Sequence, residues 1–282
     1  MGARRLTGRH VERIWGRHAL PAAFAPLVAG TEPIGEIWFE EEAAAEPALL
    51  VKYLFTADRL SVQVHPDDEA GRARGYRSGK DEAWFILGAE PGAVIGLGLK
   101  RPVSKEALRA AALDGGIEDL LDWRPVEAGD VFYSPAGTIH AIGGGLSLIE
   151  IQQNIDLTYR LYDYGRPREL QLDEALAVAD PAPWSPSGPV EQHGPGRRIL
   201  AAGRAFVLER WTIRGAAAAQ SADAEMLLIP LASAGRIDGR ALEAGSVWRV
   251  DAMSRIEAPE GLDVLAAYPG GAVREAALTI SS

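Results

Sequence analysis

In the segment Leu60 to His65 (LSVQVH), Gln63 and His65 stand two residues apart. On a β-strand, residues two apart leave the same face, so an amide oxygen and an imidazole can reach one ion. By itself such a pair is equally what a half-buried strand carries. A second piece is more demanding. Gly129 and Asp130 turn the chain into a strand, and Pro135 and Gly137 form a tight bend that presents His140 from the strand that follows. Glu82, in Gly79-Lys80-Asp81-Glu82-Ala83-Trp84, adds a carboxylate. Two imidazoles, one carboxylate and a neutral amide leave a divalent ion with a net charge of about +1 and with coordination positions open to water or substrate.

Charged residues accompany these candidates. Lys80 lies two before Glu82, hence on the same side of the chain. A neighbouring metal ion and partial burial would both disfavour its ammonium form, which suits a lysine to proton transfer near neutral pH. Asp156 and Arg160 are four apart and share a face if the segment is extended. Read without context, they are an ordinary surface pair. The cluster Tyr159, Tyr162 and Tyr164 suits packing and a pocket wall better than acid-base work, since an unperturbed phenol has a pKa of about 10. His10 and His18 precede the core and are expected to play no catalytic part.

These side chains need a β scaffold to converge, and the chain supplies one. Short β-rich runs punctuated by Gly and Pro occur at Ile34 to Glu40, Leu49 to Phe55, Leu60 to His65 and Ala83 to Leu87, as in a sandwich or barrel. Helical patterning interrupts them at 104–121 and at Leu172 to Ala179, where Asp173 and Glu174 suit a first helical turn. Residues 181–197 are rich in proline and read as a linker. The reading is therefore a metal-binding unit over 1–180 and a smaller β unit over 198–282, with strands at Ile199 to Ile213, Ala224 to Leu231, Gly235 to Arg249 and Leu262 to Tyr268. The Ala-rich tract Gly215 to Ala219 is expected to be a loop or bend. The second unit lacks a ligand set, and its role is expected to be structural.

At 282 residues without a single cysteine, the chain can bury a core without staples, and disulfide scaffolds, thiolate metal sites and cysteine nucleophiles are excluded. A formal charge of -10 disfavours general nucleic-acid or membrane-surface binding but allows a local basic pocket for one phosphate. Arg4, Arg5 and Arg9 are followed by no apolar h-region, and no run of about 18 apolar residues occurs. The expectation is a soluble, cytoplasmic protein with no obligate protein partner indicated.

The stretch from Gly129 to His140 has the layout of the second cupin motif, with Gly144 standing where an asparagine is usual. The segments QVHPD (Gln63 to Asp67), GKDEAW (Gly79 to Trp84), GTIHAIG (Gly137 to Gly143) and EIQQNIDLTYRLYDYGR (Glu150 to Arg166) resemble class I mannose-6-phosphate isomerases. The resemblance covers roughly Trp15 to Leu176 and includes IGEIWF (Ile34 to Phe39). It implies a mainly β fold, a cupin (jelly-roll) barrel with a second, smaller cupin-like β unit and a few accessory helices. It implies Gln63, His65, Glu82 and His140 as ligands of one divalent ion, Zn2+ first and Mn2+, Fe2+ or Co2+ as alternatives. Arg160, Lys80 and Asp156 match the family's catalytic positions. Lys52, Ser61, Glu150 and Arg166 match its substrate contacts, with Arg166 where relatives often have a lysine. The implied reaction interconverts mannose 6-phosphate and fructose 6-phosphate, so the partner is a small phosphosugar. Larger members carry an additional helical domain, for which this chain has only the short 104–121 region. Two other readings stay open: a different metal-cupin enzyme such as an oxygenase, which would have no use for Lys80, Arg160 and Arg166, and a phosphosugar-binding cupin without turnover.

Overall fold

The computed structural model describes residues 2–21, 24, 32–41, 47–186, 191–221 and 225–280. The first part of the chain runs β1 (Ala3–Arg5), β2 (Thr7–Arg17), β3 (Ile34–Glu40), β4 (Leu49–Phe55), β5 (Val62–Val64), α1 (Asp68–Ala73), β6 (Glu82–Ala89) and β7 (Val94–Leu99). It continues through α2 (Lys105–Asp114), α3 (Ile117–Leu120), β8 (Leu121–Pro125), β9 (Val131–Ser134), β10 (His140–Ile142), β11 (Leu146–Gln153), β12 (Tyr159–Tyr162) and α4 (Leu172–Val178). Two antiparallel sheets result, in the orders β2-β3-β4-β11-β6-β9 and β12-β5-β10-β7-β8. They pack face to face as the expected jelly roll.

Strand alternation divides the residues of the larger sheet cleanly. Val51, Tyr53, Phe55, Ala83, Phe85, Ile149 and Ile151 point one way and share a core with Phe206, Leu208, Leu227, Ile229 and Leu265 from the last part of the chain. Leu54, Trp84, Ile86 and Leu148 point the other way, onto Ile95, Leu97 and Ile142 of the five-stranded sheet. Lys52, Glu82, Glu150 and Gln152 have this second parity, so they face the barrel interior and form its polar end. The five-stranded sheet is covered outside by helices: Val62, Val64, Ala141, Tyr159 and Leu161 cluster with Leu108, Ala112, Ala175 and Leu176. Helix α2 starts at a Ser104 cap, whose hydroxyl accepts from the Ala107 amide.

The remaining strands are β13 (Glu191–Gln192), β14 (Arg197–Ala202), β15 (Phe206–Ala219), β16 (Met226–Pro230), β17 (Arg236–Ile237), β18 (Arg240–Ala241), β19 (Trp248–Val250), β20 (Ser254–Pro269) and β21 (Leu278–Ile280). They form a third sheet, with β1 paired to β19 at its edge. Residues 3–5 thus cross over to the C-terminal unit. The tract Gly215 to Ala219 is strand, not loop: after a register shift it pairs with β20 and with β21. Its lack of β-propensity is overridden by burial, since Ala217 and Ala219 sit in the core. Part of the proline-rich segment is also packed. Pro183 bridges to Gly98, the Trp184 indole donates to the Tyr133 carbonyl at 2.9 Å, and Arg197 forms a buried ion pair with Glu209 at 2.7 Å. Pro189 and Ala224 lie outside the described residues. No helix among the described residues is long and apolar enough to cross a membrane.

Because one core is built from both parts of the chain, Leu208→Ala should lower the stability of the whole molecule. The expected loss is about 2–5 kcal/mol, read by denaturant unfolding as a shift of a single transition. Two transitions of which only one moves would contradict a shared core.

Candidate metal centre and active site

The strand registers bring the polar residues together. On the five-stranded sheet Gln63 lies opposite His140 on one side and Arg160 on the other. On the larger sheet Glu82 lies opposite Gln152, and Lys52 opposite Glu150. His140 is delivered by a turn over Pro135-Ala136-Gly137-Thr138, closed by a 3.1 Å bond from the Thr138 amide to the Pro135 carbonyl. Gly137 has φ 90°, the conformation that the third residue of a type II turn requires and that glycine adopts without strain. The Gly137 amide also donates to the His65 carbonyl at 2.9 Å, which ties the turn to the strand end that carries the other imidazole.

His65, Glu82 and His140 are buried and place their ligating atoms within 4.8 Å of one another. His65 Nε2 is 3.3 Å and His140 Nε2 is 3.0 Å from the Glu82 carboxylate. The other ring nitrogens are engaged: His65 Nδ1 lies 2.9 Å from the Leu157 carbonyl and His140 Nδ1 2.9 Å from the Thr138 carbonyl. A carbonyl only accepts, so Nδ1 carries the proton in both rings and each Nε2 presents a bare lone pair. Burial, and next to it the charge of Lys80, pulls the His65 pKa down to about 3, which keeps that ring neutral. Burial opposes ionisation of Glu82, but the Lys80 ammonium 2.9 Å away outweighs it and holds the carboxyl well below the usual range. Both Glu82 oxygens lack a well-directed hydrogen bond among the described residues. Three acceptors facing one another in a dry site fit a divalent cation, in the chemistry of a singly anionic N2O set.

Gln63 completes the group at one remove. Its Nε2 is 3.2 Å from His140 Nε2, while its Oε1 accepts from Ser61 Oγ at 3.1 Å. The two ends of a carboxamide are nearly isosteric, so a half-turn puts the oxygen on the ligand side. Lys80 Nζ sits 2.9 Å from Glu82 and 3.1 Å from His65 Nε2. Burial works against its charge, but Glu82, Glu150 and Asp156 prevail and raise its pKa. This is opposite in direction to the lowering expected beside a metal ion, and the cause is the set of carboxylates around it.

A cavity of about 500 Å3 opens onto this centre, lined among others by Lys52, Ser61, Gln63, Lys80, Glu150, Asp156 and Arg160. Lys52 pairs with Glu150 at 3.4 Å and lies over the Trp38 ring, 4.1 Å from its centroid. Glu150 also accepts from the Trp84 indole at 3.2 Å. Burial first, and the charge of Glu82 second, raise its pKa. Asp156 is exposed at the rim. Arg160 is anchored through its backbone, its amide donating to Gln171 Oε1 at 3.2 Å, and its buried Nε has no hydrogen-bond partner among the described residues. Arg166 is the exception. Its guanidinium turns to Asp163 at 3.5 Å and to the Arg59 carbonyl at 2.5 Å, and it is not among the lining residues. Arg13 and Arg168 line the cavity and escaped the sequence reading. Arg13 pairs with Glu36 at 2.8 Å and Arg168 with Asp163 at 2.6 Å.

A jelly roll with two histidines and a glutamate converging at its polar end defines a cupin of the metal-site type. No protein-family model matches the chain. The mannose-6-phosphate isomerase of Streptococcus mutans is 38% identical over 198 residues, covering 67% of this chain and 62% of that protein. The chain thus matches somewhat less than two thirds of the length of this curated relative. The crystal structure of mannose 6-phosphate isomerase from Bacillus subtilis superposes with a TM-score of 0.81 at 25% identity, over 95% of this chain and 99% of that one. A mannose 6-phosphate isomerase bound with zinc and yttrium shares the fold, with a TM-score of 0.71 at 15% identity over 96% of this chain and 100% of that one. In sequence and in fold the chain is similar to class I, cupin-type mannose-6-phosphate isomerases.

Substituting Glu82 by Gln should weaken divalent-ion binding by more than about 100-fold, beyond the loss of an outer hydrogen-bond partner. Metal content after equilibrium dialysis against Zn2+ tests this, and unchanged stoichiometric binding would refute the centre.

Proposed function

We propose that this chain is an isomerase that interconverts mannose 6-phosphate and fructose 6-phosphate. The observation that carries the proposal is the arrangement of two bare imidazole lone pairs and a buried carboxylate directly behind Gln63 and Lys80 of a cavity whose wall also holds Arg160, its buried Nε without a hydrogen-bond partner among the described residues. His65, Glu82 and His140 would hold the ion, with the Gln63 oxygen as a fourth ligand. Zn2+ is the first choice, supported by the zinc in the related structure, and Mn2+, Fe2+ and Co2+ suit the same donors. When bound, the ion supplies Lewis acidity toward the carbonyl of the open-chain sugar and its neighbouring oxygen.

The chain's own groups supply the rest. Lys52 and Ser61 bind the phosphate, with Arg13 and Arg168 adding positive charge to the wall. Arg166 contributes behind them, through the Asp163 carboxylate that it shares with Arg168. Glu150, fixed by Lys52 and Trp84, orients a sugar hydroxyl. Lys80 and Asp156 are the proton carriers: Lys80 would lose the Glu82 carboxylate that keeps it charged once Glu82 served as a metal ligand, and the exposed Asp156 has the freedom to assist ring opening at the rim. Arg160 faces the charge that develops on the C1 and C2 oxygens as the proton moves between them. We place the protein in the cytoplasm, where such phosphosugars are made and used, and we divide it at residues 181–197 into a catalytic unit and a supporting β unit.

Stripping the protein with a chelator should abolish isomerase activity in a coupled assay, and reloading with Zn2+ should restore it. Arg160→Ala should keep its metal and lose about 100- to 1000-fold in kcat, as for removal of one donor to a developing oxyanion. Full turnover by the stripped protein would overturn the metal-assisted reading, and full turnover by the variant would remove Arg160 from the mechanism.

A further inference from the structure

Asp81 lies between Lys80 and Glu82, and strand alternation turns its side chain out of the barrel, toward the C-terminal unit. It is wholly buried. Its Oδ2 accepts from the Tyr133 hydroxyl at 2.7 Å, and its Oδ1 accepts from the Ala136 amide at 3.0 Å. Arg204 donates to both oxygens, at 3.1 Å and 3.4 Å. The Asp81 backbone is clamped as well: its amide donates to Gln153 Oε1 at 2.9 Å, and its carbonyl accepts from the Gln153 amide at 3.0 Å. Ala136 belongs to the turn that delivers His140, and Asp81 adjoins Glu82. One carboxylate therefore fastens the segment carrying one ligand to the segment carrying another.

The counter-charge comes from a different part of the chain. Arg204 sits in the short connection between β14 and β15, which closes down on the same spot. A Cβ at Gly203 would fall 1.9 Å from Tyr133 Cζ and 2.1 Å from its hydroxyl, so only glycine lets the backbone approach this ring. Behind it the Tyr133 and Phe206 rings meet at 5.0 Å between centroids. Without Arg204, Asp81 would be a buried carboxylate held by two neutral donors alone, a state that burial penalises and that rotation of the side chain would relieve. Such a rotation loosens the Ala136 amide and with it the His140 turn.

We infer that Asp81 and Arg204 are positioning residues through which the C-terminal unit sets the mutual placement of Glu82 and His140. The inference rests on the metal-centre reading given above. The effect of an outer partner on a metal site is about 10- to 100-fold in affinity.

The test uses the full chain with Arg204→Ala, Arg204→Lys and Asp81→Asn. Zn2+ dissociation constants are measured by competition with a chromophoric chelator, and the visible spectrum of the Co2+-loaded protein reports ligand geometry. Arg204 is 54% exposed through its side chain, so its replacement leaves the fold intact. Arg204→Ala and Asp81→Asn should each weaken Zn2+ binding about 10-fold or more and alter the Co2+ bands, and Arg204→Lys should recover most of both. Wild-type affinity and an unchanged Co2+ spectrum in Arg204→Ala would overturn the proposal, whatever happens to the melting temperature. A loss that lysine fails to recover would also overturn it, because the charge would then not be what acts. If the unaltered chain binds no Zn2+, the metal-centre reading itself fails, and the two failures are told apart by that control.

Discussion

A carboxylate that must stay ionised out of water dominates this molecule. Glu82 is buried at the polar end of a barrel, its ionised form opposed by burial and supported by the positive charge of Lys80. The surroundings follow from that requirement. Two backbone carbonyls take the Nδ1 protons of the histidines, so that both rings offer electrons and no proton to the same point. Lys80 supplies the charge available from the chain itself. Glu150, which would add repulsion, is drawn toward its neutral form by burial and by Glu82, and is held off by Lys52 and the Trp84 indole.

Geometry imposes a second condition on the six-stranded sheet, because both of its faces are covered. Alternate residues serve different masters: odd-numbered positions on β4, β6 and β11 feed the core shared with the C-terminal sheet, and even-numbered positions feed the barrel. Polar chemistry is thereby confined to one parity and one end. Asp81 is the instructive case, since its wrong-way orientation is what lets a charge on the far side of the sheet bear on the centre.

Much of the centre was legible in the chain because its signals are local. A spacing of two let Gln63 and His65 share a strand face without singling them out, and a proline and a glycine in a tight bend pointed to His140. The jelly roll was legible from short runs with turn punctuation. What escaped has a common cause, namely that it depends on distant partners. Arg13 and Arg168 reach the cavity from β2 and from the segment after β12, and no spacing between them foretells it. Arg166 was expected at the substrate, but Asp163, three residues earlier, and the Arg59 carbonyl compete for it successfully. The alanine tract at 215–219 has small side chains and a glycine, which read as a bend. Pairing on two edges and a place in the core make it strand.

Strand β1 is the first described element in the chain, and its partner, β19, comes near the far end. During synthesis on a ribosome these three residues emerge well before β19 and cannot make this pairing until the strands between have followed. The two sheets of the barrel can pair in the meantime, since every strand in them lies at or before β12. Sewing β1 onto the third sheet is then a late, long-range step, and the unpaired edge of β19 is the place where a nascent or partly unfolded copy is open to capture by the same strand of another molecule.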